Sequence, residues 1–156
     1  MRTPLALARA LAVLVPAAAL AAAFGSQYLG GLVPCEMCWW QRYAHMAALA
    51  LALLAFLVRG RALVWLAALA IAVSGAIGVY HAGVELKYFE GFTQCTAMSG
   101  GSAEDMLERI LDAPLIRCDQ VQWSLFGISM AGWNAIFSLS SALVILWLSL
   151  KRPRTR

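Results

Sequence analysis

Four cysteines are the residues of this chain best suited to chemistry: Cys35, Cys38, Cys95 and Cys118. The first two lie in Pro34-Cys35-Glu36-Met37-Cys38, a CxxC motif just ahead of a long apolar run. The motif predicts a helix with Pro34 at its first position, where a missing N–H costs nothing. Both sulfurs then fall in or near the first turn. Unpaired backbone N–H groups and the positive helix end favour a thiolate there, and the thiolate is the nucleophilic form of cysteine. A CxxC pair closes a small ring and often makes a reactive disulfide. The second pair differs. Cys95 and Cys118 flank 22 residues that include Gly100, Gly101 and Pro114, which reads as an exposed, mobile loop. Four cysteines allow three pairings, and spacing alone does not choose among them.

Arg42 follows Cys38 by four residues and so lies one turn further along the same helix face. An arginine at the centre of a membrane helix costs about 2.5–3.5 kcal/mol, less near the interface. Its expected use is to stabilise negative charge on a bound group; the competing reading is snorkelling to headgroups. His45 lies three residues beyond Arg42 on a similar face and is a weaker candidate for the same site. His81 ends the third apolar segment and is either a packed or a functional histidine. Trp39, Trp40, Tyr43, Trp123 and Phe126 read first as an interfacial aromatic belt. A CxxC can also be half of a zinc site. No second CxxC or histidine pair lies nearby in sequence, so no metal ligand set is expected.

These residues need elements to hold them, and composition says which kind. The chain has 156 residues, 62% hydrophobic and 13% charged. A soluble domain of this length cannot hide so much apolar surface, so lipid is the expected surrounding. Four segments are long enough to cross a bilayer: roughly 5–28, 39–58, 62–80 and 126–150. A polar stretch over 81–122 separates the last two. The fold expected is therefore an all-α integral membrane protein. It is a single domain over 1–156, a four-transmembrane-helix bundle with one long outer loop. Within that loop, 102–112 predicts a short interfacial helix: Ser102 can cap it, and Met106, Leu107, Ile110 and Leu111 share its apolar face.

Charge sets the orientation. Arg2, Arg9, Arg59, Arg61, Lys151, Arg152, Arg154 and Arg156 all fall on one side of a four-pass chain. Every acidic residue and every cysteine falls on the other. The lysine–arginine bias puts both termini in the cytoplasm. The net charge of +4 then serves orientation and lipid headgroups, not nucleic acid. Arg2, Arg9 and the apolar run to Ala23 also fit a signal peptide, with Ala21-Ala22-Ala23 as the cleavage site. Cleavage would leave three spans and put the 59–61 turn and the basic tail on opposite sides, which breaks the charge pattern.

On these residues the chain resembles the DsbB family of disulfide-bond formation proteins. The resemblance rests on four spans, Pro-Cys-x-x-Cys ahead of span two and an arginine four residues after the second cysteine. A second cysteine pair in the long outer loop and the Cys118-x4-Trp123 stretch before span four complete it. It implies a bacterial inner-membrane oxidoreductase with periplasmic cysteines. It implies that Cys95 forms a mixed disulfide with a DsbA-like thioredoxin-fold partner. It implies that Cys118 exchanges with the CxxC pair, and that a quinone, ubiquinone or menaquinone, reoxidises that pair. By resemblance Arg42 helps bind and activate the quinone, Cys35 is the outer and more accessible exchange partner, and Cys38 is the deeper donor to quinone. Two other readings stand beside this one: a four-span scaffold with structural disulfides, and a quinone reductase of the vitamin K epoxide reductase type, whose CxxC sits elsewhere relative to the loop pair.

Overall fold

The computed structural model describes residues 4–58, 60–91, 102 and 117–151. Four helices carry the fold: α1 (Pro4–Tyr28), α2 (Glu36–Val58), α3 (Arg61–Glu85) and α4 (Met130–Leu150). A two-stranded hairpin, β1 (Ser124–Leu125) and β2 (Ile128–Ser129), leads into α4. The helices have 25, 23, 25 and 21 residues, each apolar enough to cross a membrane. At about 1.5 Å per residue even the shortest matches a hydrocarbon core of about 30 Å. The chain is a multi-pass membrane protein, and the expected four-helix bundle is the one observed.

The bundle inverts the composition of a soluble core. Its outer faces carry the large apolar side chains, among them Leu54, Phe56, Leu57, Leu69, Leu143 and Trp147. Its interior is built from small ones: Ala8, Ala12, Ala48, Ala52, Ala67, Ala68 and Ala142, with Val64, Ile71 and Ile145 between them. Lipid supplies little hydrophobic drive between helices, so association depends on close backbone approach. Gly78 is where that approach is tightest. A Cβ there would lie 2.9 Å from the Ala131 carbonyl oxygen and 3.1 Å from the Ala135 nitrogen. In cross-section α3 packs between α2 and α4, and α1 closes the ring against both.

Three helix boundaries differ from those the sequence predicts. Helix α2 starts at Glu36, ahead of Trp39, and α3 continues past Tyr80 to Glu85. His81 is therefore inside a helix and buried, not at its interfacial end. Helix α4 starts at Met130 instead of Phe126. Phe126 and Gly127 both have positive φ, +52° and +77°, the signature of a two-residue type I′ hairpin turn. That turn pairs Leu125 with Ile128 and Ser124 with Ser129. Ser129 then caps α4, its Oγ accepting from the Gly132 N–H at 3.1 Å.

At the other end of the site α3 stops in a Schellman motif. Tyr88 N–H donates to Gly83 O at 2.8 Å and Lys87 N–H to Val84 O at 3.1 Å, with Lys87 at φ +63°. Cys95, and the predicted interfacial helix beyond Ser102, lie outside the described residues.

Candidate functional site

The CxxC motif builds the start of α2 itself. The Cys35 carbonyl accepts from Trp39 N–H at 3.2 Å, and Cys35 Sγ accepts from Cys38 N–H at 3.4 Å. Cys35 thus holds the N-cap position, its sulfur in the place of the usual serine or aspartate oxygen. Pro34 stands just ahead of the cap, two residues before the first helical position it was expected to hold. Cys38 lies in the first turn, its Sγ 3.1 Å from that of Cys35.

Cys118 completes the sulfur cluster. It has no solvent exposure and packs against Cys35, Met37 and Val84. A side-chain hydrogen bond to Cys118 is the first cause that pushes the Cys35 thiol up, ahead of contact with Cys38 and burial. Cys118 is pinned from both sides by its neighbours. Asp119 accepts from Lys87 Nζ through its carboxylate at 2.6 Å and its carbonyl at 3.0 Å. Arg117 adds two bonds to the same carboxylate, both 2.9 Å. Arg117 first, and then Lys87, hold the Asp119 carboxyl down at about 2. The ion cluster fastens the Cys118 segment to the end of α3.

The order of exposure within the CxxC reverses expectation. Cys35 is only 4% exposed, while Cys38 is half-buried. Cys118 and His81 cover Cys35. Cys38 is open because it lines a cavity of about 770 Å³, which Cys35 also reaches. The cavity wall is apolar along α1 (Ala19, Ala22, Ala23), and Arg42, His45, Asn134 and Phe137 face it from α2 and α4. That size and lining, apolar with a few convergent polar groups, suit a small organic ligand.

Arg42 does not snorkel. It is 6% exposed, and its guanidinium donates to Ala23 O at 2.9 Å and to Gln27 Oε1. It also stacks 4.9 Å from the ring centroids of both Phe24 and Trp39. Gln27 and Phe24 of α1 carried no signal in the sequence beyond being a polar and an aromatic residue near a span end. Trp39, read as part of the aromatic belt, instead walls the arginine.

A chain of polar side chains runs inward from the sulfurs. His81 of α3 sets Nε2 3.6 Å from Cys35 Sγ, and its Nδ1 accepts from Gln41 Nε2 at 2.9 Å. Gln41 Oε1 accepts from Asn134 Nδ2 at 2.8 Å. Asn134 Oδ1 faces His45 Nε2 at 3.0 Å and accepts from Ser138 Oγ at 2.9 Å. Ser74 closes the network, its Oγ donating to Gln41 O at 3.1 Å. Such a network inside lipid is stable only when its members are satisfied. Among the described residues, buried His45 Nδ1 has no hydrogen-bond partner, and neither has Glu85 Oε2 of the same cavity lining.

The donor atoms of Cys35, Cys38 and His81 lie within 4.8 Å of one another. Gln41 nonetheless donates to His81 Nδ1, so Nε2 carries the ring proton. The nitrogen nearer Cys35 therefore presents a proton to it, not a lone pair for a metal.

Fold and site together define a four-span membrane protein with a CxxC pair and a third buried cysteine clustered beside an apolar cavity. The family model for disulfide bond formation protein DsbB matches residues 6–148, and the chain belongs to that family. Disulfide bond formation protein B of Marinobacter nauticus is 34% identical, over 94% of this chain and 92% of the relative. The protein of the same name from Azoarcus sp. is 32% identical, over 88% of this chain and 89% of the relative. An uncharacterized protein of Rickettsia prowazekii is 24% identical over 88% of this chain. No solved structure matches the chain significantly.

Proposed function

We propose that this chain is a dithiol–quinone oxidoreductase of the bacterial inner membrane, with both termini cytoplasmic and its cysteines periplasmic. It reoxidises a DsbA-like thioredoxin-fold partner and delivers the electrons to ubiquinone or menaquinone. The observation that carries this reading is the contact of Cys118 with Cys35, and of Cys35 with Cys38, at the wall of the cavity that Arg42 shares.

The exchange steps balance as follows. The partner's dithiol reduces the Cys95–Cys118 disulfide through a mixed disulfide on Cys95, and the partner leaves oxidised. Cys118, as thiolate, attacks Cys35 of the oxidised CxxC, and Cys38 leaves as thiolate. Cys95 then attacks Cys118, which restores the loop disulfide and releases Cys35. Each transfer moves two electrons and depends on the fraction of attacking thiol that is ionised. The Cys38 N–H on Cys35 Sγ and the positive end of α2 offset part of the contact with Cys118 and Cys38 and the burial that push the Cys35 thiol up.

The cavity residues fit a quinone. Arg42 spends two of its five N–H donors on α1, which leaves donors for a carbonyl oxygen. His45, the weaker candidate on the same helix face, is also among the residues that line the cavity. A bound quinone would take up the two electrons and two protons released when the Cys35–Cys38 disulfide re-forms. Arg42 would stabilise negative charge at the ring oxygen in a low-dielectric setting.

The test is an anaerobic titration of purified, reduced protein with a soluble quinone, reading thiol loss and quinone reduction together. Loss of two thiols per quinone reduced supports the reading. Thiols that stay inert to quinone would instead support a static four-span scaffold.

A further inference from the structure

We propose that His81 is a catalytic residue of the thiol exchange. Its Nε2–H holds the Cys35 sulfur as that sulfur leaves with negative charge, and Gln41 is the positioning residue that keeps the proton on Nε2. The proposal deepens the oxidoreductase reading and rests on it for the order of the exchange steps.

Burial sets Cys35 a difficulty. It is 4% exposed, and contact with Cys118, contact with Cys38 and burial push its thiol up. It must nevertheless be a leaving group. When Cys95 attacks Cys118 in the Cys35–Cys118 disulfide, the Cys95–Cys118 bond forms and the Cys35–Cys118 bond breaks. The electron pair of the broken bond stays on Cys35 Sγ, and a sulfur leaves faster when its thiolate is better stabilised. The Cys38 backbone N–H lies 3.4 Å from that sulfur. His81 Nε2 lies 3.6 Å from it and arrives from α3, 46 positions along the chain.

The ring proton must be on Nε2 for this to help, and two neighbours put it there. Gln41 Nε2 donates both to Met37 O at 3.2 Å and to His81 Nδ1 at 2.9 Å. The Met37 carbonyl can only accept, so it fixes the sense of the Gln41 amide, and Nδ1 must then be the acceptor. The ring also bonds the backbone carbonyl of Cys118. That carbonyl too can only accept, and Nε2 is the nitrogen left to donate. Glu85 Oε1 stands 3.8 Å from Nε2, beyond hydrogen-bond reach for an oxygen. The N–H therefore faces both reacting cysteines, the backbone of one and the sulfur of the other. While Cys35 is neutral the Cys118 carbonyl competes for it. Once Cys35 carries charge the sulfur prevails, because a hydrogen bond to an ionised acceptor is roughly twice as strong. His81 keeps its proton throughout, so the step moves charge and no proton.

The chain has only two histidines, so histidine labelled with ¹⁵N reports four ring nitrogens, and His81→Gln assigns them. The full-length protein in detergent should carry the His81 proton on Nε2, and Cys35→Ala should move that signal. Kinetics are read on full-length oxidised protein freed of quinone and mixed with dithiothreitol. Samples are quenched in acid, and the Cys35–Cys118 disulfide is counted by peptide mass. In His81→Leu that disulfide should accumulate and resolve about ten- to hundredfold more slowly, the loss of one hydrogen bond to a charged group. His81→Gln, which keeps an N–H near the same place, should recover most of the rate. Gln41→Glu should shift the ring proton to Nδ1 and resolve as slowly as His81→Leu. A proton on Nδ1 in the unsubstituted protein overturns the proposal without any variant having to fold. Resolution at the parental rate in His81→Leu, or equal slowing in His81→Gln, also overturns it. A parent protein that forms no Cys35–Cys118 disulfide at all overturns the oxidoreductase reading instead, so the two failures are told apart.

Discussion

Replacing Arg42 separates what the structure adds from what the sequence suggested. From sequence, the charge serves the cavity ligand and leaves the fold alone. The geometry gives it a second task. Its guanidinium joins α2 to α1 through Ala23 O and Gln27 and lies between the Phe24 and Trp39 rings. Charged hydrogen bonds contribute about 1.5–3 kcal/mol each, and stacking on an aromatic ring about 0.5–2 kcal/mol. Much of that is offset because Arg42→Ala also removes the cost of burying a charge. A net destabilisation of about 1–3 kcal/mol is expected. The functional loss should be larger. Removing a preorganised donor at a developing oxyanion costs about 10²–10³ in rate, equivalent to about 2.7–4 kcal/mol. Arg42→Lys should be intermediate, because an ammonium keeps the charge but cannot hold Ala23 O and Gln27 with a planar fork. Gln27→Ala keeps the charge and loosens its aim, so it should lie closer to the parent protein. The assay is steady-state quinone reduction on purified folded protein, with thermal unfolding recorded on the same samples. Parent-like kcat/KM in Arg42→Ala at equal folded concentration would refute the functional part. Unchanged unfolding would refute the packing part.

Four further outcomes are expected. Cys35→Ser or Cys38→Ser should abolish quinone reduction, whereas Cys95→Ser or Cys118→Ser should leave the CxxC pair oxidisable by quinone and block partner oxidation; steady turnover in any of the four breaks the relay. Asp119→Asn removes the carboxylate that Lys87 and Arg117 hold, and stopped-flow measurement of transfer from the loop pair to the CxxC pair should slow several-fold while quinone oxidation of the CxxC is unchanged. The same carboxyl is depressed to about 2, so the stabilisation it contributes is complete above its ordinary value of about 3.8 and is lost as pH falls through about 2; acid titration of transfer between the pairs between pH 4 and 7 should show no step from this group. Gly78→Leu must displace α4 from α3, since even a Cβ meets the Ala131 carbonyl at 2.9 Å, and overpacking of this kind costs about 1–3 kcal/mol in thermal or denaturant unfolding.

The elements of this fold were legible because each rests on local composition. Four long apolar runs, the proline-led CxxC and the one-sided arginines are read within single segments. What escaped was whatever depends on the rotation of one helix against another. Gln27, Gln41, Ser74, Asn134 and Ser138 are isolated polar residues in apolar runs, and their partners on other helices lie 15 to 93 positions away. Helices that are apolar all round give a sequence no stripe from which to fix that rotation. The expected exposures of Cys35 and Cys38 failed for the same reason, since the His81 and Cys118 that cover Cys35 arrive from elsewhere in the chain. The Phe126-Gly127 turn was overlooked because its apolar flanks read as the beginning of the last span.

The residues that sequence reading missed are the ones that supply the missing rotation. In lipid, alanine faces pack against one another in many registers with similar energy, because no water is displaced by choosing one. A buried amide or imidazole changes that, since each donor or acceptor left without a partner costs roughly 1–3 kcal/mol. Gln41, Ser74, Asn134 and the Nε2 of His45 find their partners together when α2, α3 and α4 stand at one mutual angle. That angle brings His81 to Cys35 and sets His45 and Arg42 on the cavity wall. The polar network therefore specifies the bundle and aims the chemistry through the same hydrogen bonds. A substitution such as Asn134→Ala should loosen helix register and histidine orientation together, while substitutions on the lipid-facing side of the same helix, such as Leu143→Ala, should move neither.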